Sequence, residues 1–415
     1  MDDQSGQSVG AILRAARQRQ GRSQADVAAA AGYSASALSR IELGRRRPPL
    51  DVVAHLAHHY GVPLDRLGLA RVDGGYPSER DDDVRRRTFL AAAATLTVPS
   101  WVLTRFDDAL VALPTVRGPV TAAGVEGHLA RLLGRFGAAS YGPVAAELPD
   151  LLAAAHELAE TSPSAAAKAR TAACYDLATR TMTKLGRLTS SRVSADRALT
   201  AARASGSPLA VAMSTRALGV VLRHEARADV AFRTDLAALA AVEATGLTTT
   251  AQRTVFTQLA CSTAYAAGQA GDRGQALELL VDADRAVRGL PEQRSGQTAA
   301  TSLAQVRLYR VGIHWALGDS ARALESARGL RPEQFDTAER RGRLHTDLAR
   351  AWWQHDRPER AAVALLAAHR EAPAEVTDRP AIRDLARDLV DHHSGLASAR
   401  ELRVALRRRP DGLTS

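Results

Sequence analysis

A tight turn followed at fixed offsets by small residues recurs through the second half of this chain, and few folds accommodate such a pattern. Gly186 is followed by Ser191, Ala195 and Ala198; Gly271 by Ala276, Leu280 and Ala283; Gly318 by Ala323 and Ala327; Asp356 by Ala361, Leu365 and Ala368. A weaker copy runs from Leu218 and Gly219 through Ala226 to Ala231 and Ala238. The turns come every roughly 38 to 47 residues, the interval of two-helix solenoid units. Small residues at those offsets let the two helices of a hairpin, and the next hairpin, approach closely. Residues 120–408 are helical in pattern, with no sustained β-branched alternation. The expected fold class is therefore all-α.

The N-terminal region is organised differently. Val9, Ile12, Leu13 and Ala16 share a helical face that stops at Gly21, and Ser23 can cap a second helix through Val27 and Ala31. Gly32 makes a turn, and Ser34 can cap a third helix carrying Leu38 and Ile41. After Arg45, Arg46, Arg47, Pro48 and Pro49, a fourth helix would turn Leu50, Val53, Leu56, Ala57 and Tyr60 inward, and Val62, Leu64 and Leu67 complete a small core of five helices. Residues 71–84 are rich in Gly, Pro and Asp and read as a solvated linker. The expected organisation is a small domain over 8–70, a linker and connecting helix over 71–119, and a solenoid over 120–408. The repeats resemble degenerate tetratricopeptide repeats, in about five copies.

Charge is a weaker guide than it first looks. The chain has 55 Lys+Arg against 45 Asp+Glu, a formal net charge of +10. Only Lys168 and Lys184 are lysine, and there is no asparagine. That bias fits a GC-rich genome, so arginine abundance alone does not argue for nucleic acid, whereas the missing Asn excludes any mechanism that needs its side chain. Cys174 and Cys261 sit in apolar, Ala-rich segments, as buried helical thiols do, which favours a reducing cytoplasm. The first ten residues lack a basic region and an apolar core, so no signal peptide is expected. Arg86, Arg87, Phe89 and Leu90 imitate a twin-arginine signal, but at an internal position and ahead of an Ala- and Thr-rich stretch containing Pro99. A connecting helix with one buried side is expected there, and no membrane span.

The most specific local signal runs from Arg17 to Gly44: R-x-x-x-G-x-S-Q-x-x-V-A, then G-x-S-x-S-x-L-S-R-I-E-x-G. A short helix, a glycine turn and a second helix with a polar N-terminal half is a shape that enters a major groove. Over residues 9–69 the segment resembles the λ-repressor-like (XRE/Cro) helix-turn-helix family. With the repeats, the chain is similar to transcriptional regulators of an actinobacterial type. The resemblance implies a phosphate contact from Gln24, a capping and backbone role for Ser34, and groove-facing positions at Ala35, Ser36, Ser39 and Arg40. Arg40 is the expected direct reader, since a guanidinium pairs bidentately with guanine O6 and N7. Arg45, Arg46 and Arg47 would bind phosphate or enter a minor groove. Arg17 and Glu42 occupy positions that pair in this family and tie the first helix to the recognition helix. Leu43 stands where the family usually has Asn, removing one backbone-phosphate contact. The groove-facing positions also lack the Asn or Gln that reads adenine, so specificity is expected from Arg40, water and DNA shape.

The resemblance further implies a homodimer on an inverted-repeat double-stranded operator, and a repeat domain that dimerises or senses a peptide or protein effector. Without Asn, such an effector would be held by Arg, Gln, Thr or Ser. Arg180, Arg216, Gln258, Arg310 and Arg350 are the candidates. Trp315, Trp352 and Trp353 fall where repeats pack together. His55, His58 and His59 share a helical face but lack a completing Cys or carboxylate, so no metal is expected. There is no phosphate-binding glycine loop, G-x-S-x-G, H-E-x-x-H or C-x-x-C, so no cofactor and no enzyme are expected. The alternatives are an interaction scaffold whose helix-turn-helix no longer binds DNA, and a repeat-domain enzyme with an unrecognised site.

Overall fold

A computed structural model describes residues 9–24, 35–42, 60, 62, 98–288 and 303–407. The described residues include helices and no strand, in two compact units divided between Leu90 and Ala91. The expected second and fourth helices of the first unit, the linker at 71–84, Arg86 to Leu90 and the three histidines at 55, 58 and 59 lie outside the described residues.

In the first unit, α1 spans Val9–Arg19 and α2 spans Ala35–Glu42. Gly21 ends α1 in the left-handed region at φ 63°, where the Arg22 amide reaches back to the Arg17 carbonyl at 3.3 Å. Leu13, Ala16, Leu38, Ile41, Tyr60 and Val62 are buried, as the periodicity of the two helices requires.

The second unit begins with α3, Ser100–Val111, whose Val102, Leu103, Phe106 and Leu110 join a core with later helices. The connecting helix is thus part of this unit's packing. Six helical hairpins follow: α4 Ala122–Gly137 with α5 Tyr141–Thr161; α6 Ala165–Lys184 with α7 Leu188–Ser205; α8 Pro208–His224 with α9 Ala228–Glu243; α10 Thr250–Gln269 with α11 Arg273–Arg288; α12 Leu303–Ala316 with α13 Ser320–Ser326; α14 Ala338–Gln354 with α15 Pro358–Glu371. Three further helices, α16 Pro373–Thr377, α17 Pro380–His392 and α18 Ala397–Arg407, close the unit.

One turn chemistry is used in all six hairpins. Ala139, Gly186, Ala226, Gly271, Gly318 and Asp356 all take positive φ. In each, the next residue's amide bonds five residues back, as from Arg187 to Met182, Arg227 to Leu222, Asp272 to Ala267 and Arg357 to Trp352 at 2.8 to 2.9 Å. This is the Schellman ending, which satisfies carbonyls that a helix C-terminus would leave bare. Five residues beyond each turn, Val144, Ser191, Ala231, Ala276, Ala323 and Ala361 are fully buried. Five of these first helices start on hydroxyl caps: Thr121, Ser164, Ser207, Thr249 and Thr337 accept from backbone amides of α4, α6, α8, α10 and α14.

One repeat departs from the reading of its sequence. The turn of the weaker copy falls at Ala226, not at Leu218 and Gly219, which lie within α8. Gly219 has another use: a β-carbon there would overlap the carboxylate of Asp235 on α9, so the glycine admits a buried acid. Placing the turn at Ala226 also evens the spacing of the repeats. A further hairpin, α4 with α5, precedes those legible in the sequence.

Apolar packing is divided among clusters in the walls of this succession. One joins α3 to α7, one α8 to α12 and one α14 to α18. Trp352 and Trp353 pack against the last of these, and Trp315 against a smaller cluster at α12 to α14. The succession curls until its later hairpins meet its earlier ones. Lys184 on α6 reaches Glu339 on α14 and Glu375 on α16, Tyr141 of α5 donates to Glu375, and a β-carbon on Gly186 would lie 2.5 Å from Pro380 Cγ.

Candidate functional site

The first unit contains a buried polar lock. Arg17 grips Glu42 bidentately, Nε to Oε1 at 2.6 Å and Nη2 to Oε2 at 2.8 Å, and its Nη1 donates to the Arg22 carbonyl at 2.8 Å. Gln24 Nε2 donates to the same Glu42 carboxylate at 2.8 Å, and Gln20 Nε2 donates to the Tyr60 carbonyl at 2.9 Å. The Glu42 side chain has no exposed area. Burial pushes its carboxyl up, but the hydrogen bonds from Arg17 and Gln24 outweigh that and hold it below the ordinary value. The pairing of Arg17 with Glu42 is the one the motif implies. It fixes α2 by its last residue to the end of α1, so α2 is presented at a set angle.

The implied contact residues fall around this lock. Gln24 is half-buried and spends one amide hydrogen on Glu42, leaving its second hydrogen and its carbonyl oxygen for other partners. Ala35, Ser36, Ser39 and Arg40 are on α2, where Ser39 is half-buried; the side chains of the other three are outside the described set. Ser34, Leu43 and Arg45 to Arg47 lie outside the described residues.

The candidate effector residues of the second unit divide into two groups. Arg180, Arg216 and Arg350 belong to one charged group on the inward sides of α6, α8 and α14. Arg180 lies 4.3 Å over the Phe136 ring, and burial together with neighbouring Arg216 draws its pKa down to about 10. Arg216 is only 8% exposed, and its Nε has no hydrogen-bond partner. Arg350 lies 4.8 Å over Trp315 and 3.7 Å from Asp347. Arg310 instead lines an open cavity of about 500 Å³ with Leu277, His314, Arg322, Glu325 and Ser326. Gln258 is half-buried on α10 and no contact brings it to either group.

The group contains residues that sequence reasoning missed. Glu339 accepts from Lys184 at 2.7 Å and lies 3.2 Å from Arg340 Nε; Glu375 accepts from Lys184 at 2.5 Å and from Arg379 at 2.6 Å; Asp347 accepts from Arg343 at 3.3 Å. Arg223 donates to the Ser262 carbonyl and hydroxyl and lies 5.2 Å from the Tyr265 ring centre, while Arg343 lies 4.9 Å from that of Tyr309. On α14, Glu339, Arg343, Asp347 and Arg350 follow at three- and four-residue steps, which in sequence is indistinguishable from a solvated helix face. Cys174 and Cys261 are both buried, and burial pushes each thiol up to about 12, so both are inert packing groups. Among the described residues there is no group of three or more metal-ligating side chains, and no helix is long and apolar enough to cross a membrane.

Residues 8–69 match the family model of a helix-turn-helix domain. No curated protein and no solved structure matches the chain significantly.

Proposed function

We propose that the chain is a sequence-specific DNA-binding transcriptional regulator in which the helix-turn-helix domain reads an operator and the helical hairpins dimerise or receive an effector. The observation that carries this reading is the coincidence of the family match over residues 8–69 with the lock of Arg17, Gln24 and Glu42. A helix held at its C-terminal end by a buried ion pair can present its N-terminal half to a groove without rearranging. The XRE/Cro subtype, the tetratricopeptide character of the hairpins and a cytoplasmic setting belong to the same reading, which assigns no catalytic role to the chain.

The mechanism follows from the chemistry of the residues. Arg40 supplies bidentate recognition of guanine, and Ser36 and Ser39 add hydroxyl contacts from the same helix. Arg45, Arg46 and Arg47 neutralise phosphates, and Gln24 uses its free amide hydrogen on the backbone. A symmetric dimer places two such helices one DNA turn apart, about 34 Å, so the operator is an imperfect inverted repeat. An effector among the hairpins would act by changing the relation of the two DNA-binding domains.

Binding-site selection followed by footprinting at several salt concentrations tests this. Arg40→Ala is expected to relax base preference at one position of each half-site, costing about 1 to 3 kcal/mol. Arg45→Ala is expected to weaken all sequences alike and to lower the salt slope by about one. If both variants bind DNA as the parent does, the reading fails and an interaction scaffold takes its place.

A further inference from the structure

The inward-facing charged group of the second unit is not balanced. Among the described residues, three buried carboxylates, Glu339, Asp347 and Glu375, serve five cations, Lys184, Arg340, Arg343, Arg350 and Arg379. Arg180, Arg216 and Arg223 belong to the same group and have no carboxylate within ion-pair distance. Arg223 is satisfied by Ser262. Arg180 rests on the Phe136 ring, and Arg216 leaves its buried Nε without a hydrogen-bond partner. Arg340 adds an unpartnered Nη1.

The two nearest remaining acids do not repair this. Asp176 takes a hydrogen bond from Ser214 at 3.1 Å but leaves Oδ1 bare, and neither oxygen of Asp235 has a partner. Burial pushes both carboxyls up to about 7, against the pull of Ser214 and Arg216 on Asp176 and of Arg223 and Arg216 on Asp235. Even with both of them ionised, five carboxylates face eight cations. A buried guanidinium without a counter-charge is costly, and chains seldom keep one that nothing uses. The walls of the succession are apolar while its centre is cationic, so the uncompensated guanidiniums are not serving the packing.

We propose that Arg180, Arg216 and Arg340 form a binding site for a compact anion carrying two or more negative charges, of the phosphate or polycarboxylate class, in the centre of the curled hairpins. The site rests on the effector reading and gives it a ligand class. Arg180 on α6 feels the charges of both Arg216 on α8 and Arg340 on α14, so an anion among them would tie early, middle and late hairpins together through charge-assisted hydrogen bonds. Half-buried Arg180 and Arg340 give the site its edge toward solvent, and buried Arg216 gives it its depth.

Calorimetric titration of the full chain with sodium pyrophosphate, and separately with citrate, at constant ionic strength set by NaCl, tests the site. Saturable binding of one anion per chain is expected for at least one probe, and which probe binds identifies the class. Arg216→Met and Arg180→Gln should each weaken it at least tenfold, while Arg233→Ala, at an exposed pair with Asp229 on α9, should leave it unchanged. Should Arg216→Met fail to fold, Arg180→Gln on the half-buried member still decides. Absence of saturable binding to either probe overturns the proposal, as does equal binding by the parent and Arg180→Gln. DNA retention by the same preparation is measured separately, so loss of the anion site and loss of the DNA-binding reading are distinct results.

Discussion

Glu42 shows how much one side chain settles in a small domain. Its carboxylate accepts from Arg17 twice and from Gln24 once, and it has no exposed area. Removing one partner of such a pair leaves the other buried and unmatched, which costs about 3 to 5 kcal/mol. Glu42→Ala should therefore raise amide exchange across α1 and α2 by orders of magnitude, while exchange in α6 to α11 stays as in the parent. The acid response has a definite sign. The folded-state pKa of Glu42 lies below its ordinary value, so its contribution is complete above about pH 4.5 and is lost as pH falls through the lowered folded value. Protection of the α1 amides, taken as the ratio of intrinsic to observed exchange rate at each pH, should fall between pH 6 and pH 3. A Glu42→Ala chain whose α1 exchanged at the parent rate would show that the pair is dispensable.

Among the elements, the hairpin turns were the most legible part of the sequence, and they also mark where legibility ended. Gly186, Gly271, Gly318 and Asp356 announced themselves because glycine, and less often aspartate, tolerates the left-handed region. Ala226 and Ala139 take the same φ of 59° without the residue that advertises it, so the sequence points to Gly219 for one turn and carries no sign of the other. The hydroxyl caps and small residues followed rules that a single chain displays. The inward-facing charges did not, because polar residues at helical spacing mean a wet surface until long-range closure encloses them. The resemblance of residues 9–69 and the pairing of Arg17 with Glu42 were readable because the motif is local. The turns can be tested directly. Ala226→Gly should stabilise the chain by about 1 kcal/mol, relieving an alanine of the left-handed conformation. Gly271→Ala should cost about 1 to 2 kcal/mol from that conformation alone, since nothing lies within 4 Å of the new β-carbon. Gly186→Ala should cost more, because its β-carbon also meets Pro380. Denaturant midpoints of the three variants should fall in that order.

At the scale of the whole second unit, the curl of the hairpins places charge where a single-core protein keeps its apolar residues. Lys184 spans residues far apart in sequence, and with Glu339 and Glu375 it fastens the early hairpins to the late ones. Glu339 and Glu375 keep depressed pKa values despite burial, because Arg340, Lys184 and Arg379 stand against them. Asp176 and Asp235 are pushed the other way, to about 7, by burial that Ser214 and the distant arginines only partly offset. The two pairs act oppositely on stability. The depressed pair stabilises above the ordinary carboxylate range and loses that contribution in acid. The raised pair holds protons in the folded state that the unfolded chain has released, so stability falls as pH climbs from about 4 to about 7 and levels off above. Maximum thermal stability of this unit is therefore expected on the acid side of neutrality. Asp235→Asn removes one raised group while keeping its shape beside Gly219. The variant should melt near the parent at pH 4 and above it at pH 8, with the gap opening across that window. A gap that stayed constant from pH 5 to pH 8 would mean that Asp235 is ionised throughout, and that Arg216 and Arg223 compensate it more fully than their distance from it implies.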